Sequence, residues 1–195
     1  MSNFHYIIAS LPELHRDSTF DAETPGRLID EILSLCKDKN IDFVLKGSDS
    51  ANLTREFYIE ASKSPLKLVR DYFDFDLNVR NEKVKYLNKE LGRPADMDVI
   101  VLDPDASFED APKAEKALAA GDILSREKAL DNLYWAKISD LTIFNYFDIE
   151  AVIGYILKLK IVQRWAILDP ETGREMFRRI VGEVRGTFKG VDAKI

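Results

Sequence analysis

The apolar positions of this chain recur at helical intervals along most of its length. The densest run is 148–168, where Val152, Tyr155, Ile156, Leu159, Val162 and Ala166 follow at three- and four-residue steps and share one helix face. Ile149, Ile153, Leu157 and Ile161 put apolar surface elsewhere around the same wheel, so this helix needs neighbours on more than one side. Asp148 is expected to cap its start, because a carboxylate there can accept a bond from a free amide of the first turn. Asp169-Pro170 ends it, since the residue before a proline avoids the α region. The run would span about 30 Å at 1.5 Å per residue, close to a bilayer's thickness. Lys158, Lys160 and Arg164 argue against a crossing, at about 2.5–3.5 kcal/mol each at the bilayer centre. The stretch reads as the central helix of a soluble helical domain.

Elsewhere the pattern is shorter but similar. Residues 4–11 suit either a short strand or a helix turn, and residues 15–23 read as loop. Thr24-Pro25 reads as an N-cap followed by proline in the first turn, and Leu28, Ile29, Ile32, Leu33 and Cys36 carry a helix to about residue 39. A short apolar run at 41–45 and a turn at 46–50 follow. Ser50 or Asn52 is expected to cap a helix holding Leu53, Phe57, Tyr58 and Ala61. Ser64-Pro65 opens a long helix over 65–91, with a bend and a cap expected at Asp74. Gly92-Arg93-Pro94 stops it with a C′ glycine and a nearby proline. Residues 93–111 are irregular and read as an extended surface connection. Short helices are expected at 112–120 and from Ser125 to Leu141, and a last one around Met176, Phe177, Ile180, Val181 and Val184.

These elements predict an all-α bundle of about six to eight helices in a single domain, 1–195. Tyr72-Phe73-Asp74-Phe75-Asp76 and Tyr146-Phe147-Asp148-Ile149-Glu150 share an order of two aromatics, an acid, an apolar residue and an acid. As a repeat, this would divide the bundle into related units at about 24–92 and 112–186, joined by 93–111. Five matching positions are equally what coincidence produces.

Composition narrows the function. Of 195 residues, 46% are apolar and 32% charged, enough for a sizeable core and a solvated surface. The net charge of −6 disfavours a nucleic-acid binder and a protein lying on anionic lipid, both of which rely on lysine and arginine. The lone Cys36 rules out an internal disulfide, fits a reducing cytoplasm and reads as a small core residue. The first ten residues lack the basic and apolar regions of a signal peptide, so the chain is expected to be cytoplasmic.

Candidate chemistry is sparse. Asp96, Asp98, Asp103 and Asp105 could offer hard oxygen ligands to Mg²⁺ or Ca²⁺, which would make a metal-dependent hydrolase, although the calcium-loop glycine and glutamate are missing. The alternative is a set of acids on a solvated loop. Asp74 and Asp76 read as a helix cap or bend rather than a catalytic pair. His5 and His15 are the only imidazoles, Gly47-Ser48 is not a nucleophile elbow, and Lys46-Gly47-Ser48 is not a phosphate loop. No metal ligand set, catalytic group or cofactor site is assigned. Arg174, Arg178, Arg179 and Arg185, with Lys158, Lys160 and Arg164, make the C-terminal third less acidic than the rest. They read as a solvated face or as a docking edge for an acidic partner.

Two stretches carry a family resemblance. Asp71-Tyr-Phe-Asp-Phe-Asp-Leu-Asn-Val-Arg-Asn81 resembles helices of the V/A-type ATPase C subunit, called d in eukaryotes. Phe147-Asp-Ile-Glu-Ala-Val-Ile-Gly-Tyr-Ile-Leu-Lys-Leu-Lys-Ile-Val-Gln-Arg-Trp165 is similar to that subunit's closing helix. Tyr6-Ile-Ile-Ala-Ser-Leu-Pro-Glu-Leu14 is similar to the start of a bacterial family of unassigned function, encoded among V-type ATPase genes. The resemblance implies an all-helical, non-catalytic subunit that joins the central rotor shaft to the membrane ring of proteolipid subunits. Its partners would be other ATPase subunits, reached on the cytoplasmic face through protein contacts alone. An unrelated helical adaptor is the remaining alternative.

Overall fold

The computed structural model describes residues 4–167. Among them the chain is all-α, with eight α-helices, a 3₁₀ turn and no strand. The helices are α1 (Phe4–Ser10), α2 (Thr24–Leu35), α3 (Lys39–Gly47), α4 (Arg55–Ser62), α5 (Lys67–Glu90), α6 (Ala111–Leu118), α7 (Ile123–Leu141) and α8 (Ile149–Ile167), with the 3₁₀ turn at Ser50–Asn52. The final expected helix and Arg174, Arg178, Arg179 and Arg185 lie outside the described residues.

Two long helices organise the packing. α8 lies against α1, α2, α3 and α7, while α5 lies against α4, α6 and α7. The multi-sided apolar wheel of α8 is used as such: Val152, Ile153, Ile156, Leu157, Leu159 and Val162 are all buried. The main core joins Val152, Ile153, Ile156 and Leu157 to Ile7, Ile32, Cys36, Ile41, Val44, Phe57, Phe73 and Ile138, while Leu159 packs with Leu28 and Ile29. The main core therefore draws on helices before and after the 93–111 connection. A smaller core under the other side of α5 collects Phe75, Val79, Ala117, Leu118 and Leu130. Close approach is needed at two glycines. A Cβ on Gly47 would meet the Phe57 and Phe73 rings at 2.6 Å, and one on Gly154 would meet the Thr142 methyl at 2.5 Å.

Several boundaries differ from the expected ones, each for a local reason. Residues 4–10 are helical because Ile7 must reach the core. The helix expected to run to residue 39 stops at Leu35. Asp38 then caps a separate α3, accepting the Asn40 amide at 2.7 Å. The run at 41–45 lies inside α3. Thr24 does not cap α2; Asp21 Oδ1 takes the Thr24 and Glu23 amides at 2.7 and 3.0 Å. Thr54, not Ser50 or Asn52, caps α4, and Asp122 caps α7 by accepting the Ser125 amide at 2.8 Å.

Asp74 is not a cap and marks no break: α5 runs continuously through it. No proline or glycine interrupts residues 67–90, and Phe73 and Leu77 are buried on one side of it and Phe75 and Val79 on the other. The Tyr72–Asp76 block is thus mid-helix, whereas the Tyr146–Glu150 block crosses from a loop into α8. At that second block Asp148 Oδ1 accepts the Ala151 amide at 2.9 Å. Glu150 reaches further and accepts the Leu68 amide at 3.2 Å, serving the first turn of α5 from another helix.

The irregular 93–111 connection is pinned to α5. After Gly92 (φ 65°), Arg93 N–H returns to Asn88 O at 2.8 Å, a glycine-dependent helix ending. The Asn88 amide then donates to the Met97 and Ala95 carbonyls at 2.7 and 3.2 Å. One turn-pair earlier, the Asn81 amide donates to Ile100 O at 2.8 Å and accepts Ile100 N–H at 3.1 Å. A side-chain amide here does what a neighbouring strand would do.

Candidate functional site

A cleft of about 510 Å³ opens between α5, α7 and α8 and is closed at one end by the chain leaving α3. Its size falls in the range of small-molecule sites, roughly 300–1,000 Å³. Helical spacing builds each wall. Tyr72, Asp76, Arg80, Lys83 and Val84 come from one face of α5, Glu127, Leu130, Asp131 and Tyr134 from α7, and Leu157, Lys160, Ile161 and Arg164 from α8. Gly47, Ser48, Ser50 and Leu53 complete the end.

Asp76 is the group at the base. Tyr58 Oη donates to its Oδ2 at 2.7 Å and Tyr134 Oη to its Oδ1 at 2.8 Å, linking α4, α5 and α7 through one carboxylate. Burial raises its pKa, against the opposing pull of the two hydroxyls and of Arg80 and Lys83. The same burial, reinforced by the Asp76 charge, raises the tyrosine hydroxyls of Tyr58, Tyr72 and Tyr134. They remain neutral donors at any ordinary pH.

The rim carries a chain of ion pairs. Lys83 Nζ lies 3.3 Å from Glu127, and Arg164 lies 3.4 Å from the same carboxylate. Arg164 also pairs with Asp131, whose Oδ2 accepts Trp165 Nε1–H at 2.6 Å. Burial still raises the Asp131 pKa above the usual value, with Arg164 the largest opposing influence. Two cations are not ion-paired to any carboxylate of the described residues. Arg80 donates to the Leu53 carbonyl, and Lys160 Nζ meets Gln163 Oε1 at 3.1 Å.

The residues singled out in the sequence separate into several places. Lys160 and Arg164 share the cleft, and Arg164 is engaged with acids of its own chain rather than presented outward. Lys158 instead sits with its ammonium 5.3 Å from the Trp135 ring centre, its pKa lowered by burial. Asp96, Asp98, Asp103 and Asp105 are all exposed, and Asp103 is occupied with the Asp105 amide at 3.0 Å. Among the described residues no group of three or more His, Cys, Asp or Glu could hold a metal ion. Cys36 is buried in the core. His5 stacks on Phe147 with ring centres 4.2 Å apart, and His15 lies on the surface 3.7 Å from Glu13. Reading the sequence alone missed Asp76 as a hub and Arg80, Lys83, Glu127 and Asp131 as wall residues. The tyrosines that meet on Asp76 are 58 and 134, on two other helices, and nothing local in the sequence links them to it.

A second surface feature stands apart from the cleft. The α7–α8 connection exposes Ile143, Phe144, Tyr146 and Phe147, with Phe144 85% exposed. No helix among the described residues is long and apolar enough to cross a membrane.

A family model described as "Protein of unknown function (DUF2764)" matches residues 105–187. That span holds α6, α7 and α8, hence two of the three cleft walls and the exposed aromatic connection. No curated protein and no solved structure matches the chain.

Proposed function

We propose that this chain is a non-catalytic assembly subunit that works by docking onto other proteins, and that its assembly is a V/A-type rotary ATPase. The observation that carries the docking role is the Ile143–Phe147 connection. Four large apolar side chains there are exposed, Phe147 with one ring face stacked on His5, and none of them belongs to the main core. Exposed aromatic clusters of this kind mark protein contact sites, since leaving them in water forfeits the stabilisation that burial provides. The resemblance of 71–81 and 147–165 to helices of the C/d subunit supplies the ATPase as the assembly. In that role the chain sits on the cytoplasmic face of the membrane, held by the central stalk or the proteolipid ring rather than by lipid, and performs no reaction.

Co-purification with the rotor and ring subunits at native expression levels tests this reading. The expected result is that tagged protein recovers those subunits, and that Phe144→Asp with Ile143→Ser loses them while melting unchanged. A chain that recovers none of them, or a double variant that recovers them undiminished, rejects it.

A further inference from the structure

We propose that the α5–α7–α8 cleft is a binding site for a small organic anion, one carrying a phosphate or carboxylate group on a flat apolar body. The charges on its walls are unequal in what they leave available. Glu127 and Asp131 are consumed by Lys83 and Arg164. Asp76 lies at the base, bonded to two tyrosine hydroxyls. Arg80 on α5 and Lys160 on α8 form no close ion pair within the described residues: Arg80 donates to the Leu53 carbonyl and feels the Asp76 carboxylate only through its field, and Lys160 meets Gln163. Two cations on different walls of one partly desolvated cleft attract an anion more strongly than either would on the surface, because the local dielectric is lower. Arginine and lysine together supply both a planar fork and a point charge for such a group.

The remaining walls define the rest of the ligand. Tyr72 and Tyr134 with Leu157 and Ile161 give an apolar interior. The Tyr72 hydroxyl makes no hydrogen bond within the described residues and is a free donor for the ligand. The volume holds a molecule of nucleoside-monophosphate size and is too small for a folded partner. This site is separate from the exposed Ile143–Phe147 connection, so ligand binding stands or falls independently of the assembly role.

Titration calorimetry on the full chain at low ionic strength tests the proposal, with AMP as the phosphate probe, isophthalate as the carboxylate probe and inorganic phosphate as the bare anion. Saturable binding of AMP or isophthalate, tighter than that of inorganic phosphate, is expected, and which of the two binds identifies the anionic group. Arg80→Gln and Lys160→Gln should each weaken it about tenfold, the loss of one charge-assisted bond. Lys116→Gln, on the exposed side of α6, should leave it unchanged. Thermal melts establish that each variant is folded, and Lys160→Gln carries the test if Arg80→Gln is not. Absence of heat from all three probes at millimolar concentration overturns the proposal. So does binding that folded Lys160→Gln leaves intact, or binding equally weakened by Lys116→Gln.

Discussion

Asp76 shows how much one side chain can be asked to do. Its carboxylate receives hydroxyls from Tyr58 on α4 and Tyr134 on α7, so three helices meet on a group that burial would rather keep protonated. A carboxyl whose folded pKa is raised binds its proton more tightly in the native state than in the unfolded chain. Its contribution to stability is therefore full below the unfolded value of about 3.9 and is lost as pH rises through the folded value. Asp76→Asn keeps an acceptor and a donor for the two hydroxyls and removes that titration. Between the unfolded and folded pKa values the wild-type chain should lose stability relative to Asp76→Asn as pH rises, seen in urea midpoints taken along a pH series. Parallel pH profiles for the two proteins would contradict the assignment. Asp131 adds a shift of the same sign, whereas Asp21 and Asp122, held down by first-turn hydrogen bonds, shift the opposite way at exposed positions.

Among the elements, α5 departs furthest from a simple amphipathic helix. One side serves the main core, another the smaller core, a third lines the cleft, and Asn81 and Asn88 hold down the chain that follows it. Asparagine is a mediocre helix former, and two of them seven residues apart in a long helix make sense only once the 95–100 backbone is seen to need partners. Asn81→Ala leaves Ile100 N–H and C=O without that partner, at a cost of about 1–3 kcal/mol. The loss should appear as faster proteolysis and amide exchange within 95–102, with α8 protected as before. Unchanged exchange at Ile100 would mean that solvent replaces the amide at no cost. The boundaries that sequence periodicity misplaced share a cause with this. Caps at Asp21, Asp38, Thr54 and Asp122 compete with nearby Ser, Thr and Asn residues of equal capping ability. Backbone geometry, set by where the core lies, selects among them.

For the molecule as a whole, α7 and Arg164 matter most. Among the described residues, α7 is the one long helix packed against both α5 and α8. Arg164 fastens it to α8 through Glu127 and Asp131, with Trp165 on the same carboxylate. Arg164→Ala should lower global stability by about 1–2 kcal/mol, discounted because the arginine is half exposed. It should also loosen the cleft wall, and chemical denaturation with a Trp165 fluorescence readout measures both. A midpoint unmoved by the substitution would show the ion-pair chain to be ornamental to folding. The exposed Ile143–Phe147 connection sits at the other end of the same hairpin, so docking there and binding in the cleft can be varied separately.

The helical class, the depth of the 149–167 helix, the burial of Cys36 and the glycine-dependent end of α5 were all legible in the chain as written. Each rests on periodicity or on a residue whose conformational preference acts within a few positions. Undecidable runs such as 4–11 and 41–45 were settled by the core, because short apolar segments satisfy either period. The cleft lay beyond such reasoning. Its charged residues, spaced three and four apart on three helices, are indistinguishable in one dimension from solvated helix faces. Folding turns those faces toward one another around the cleft that Asp76, Arg80 and Lys160 line.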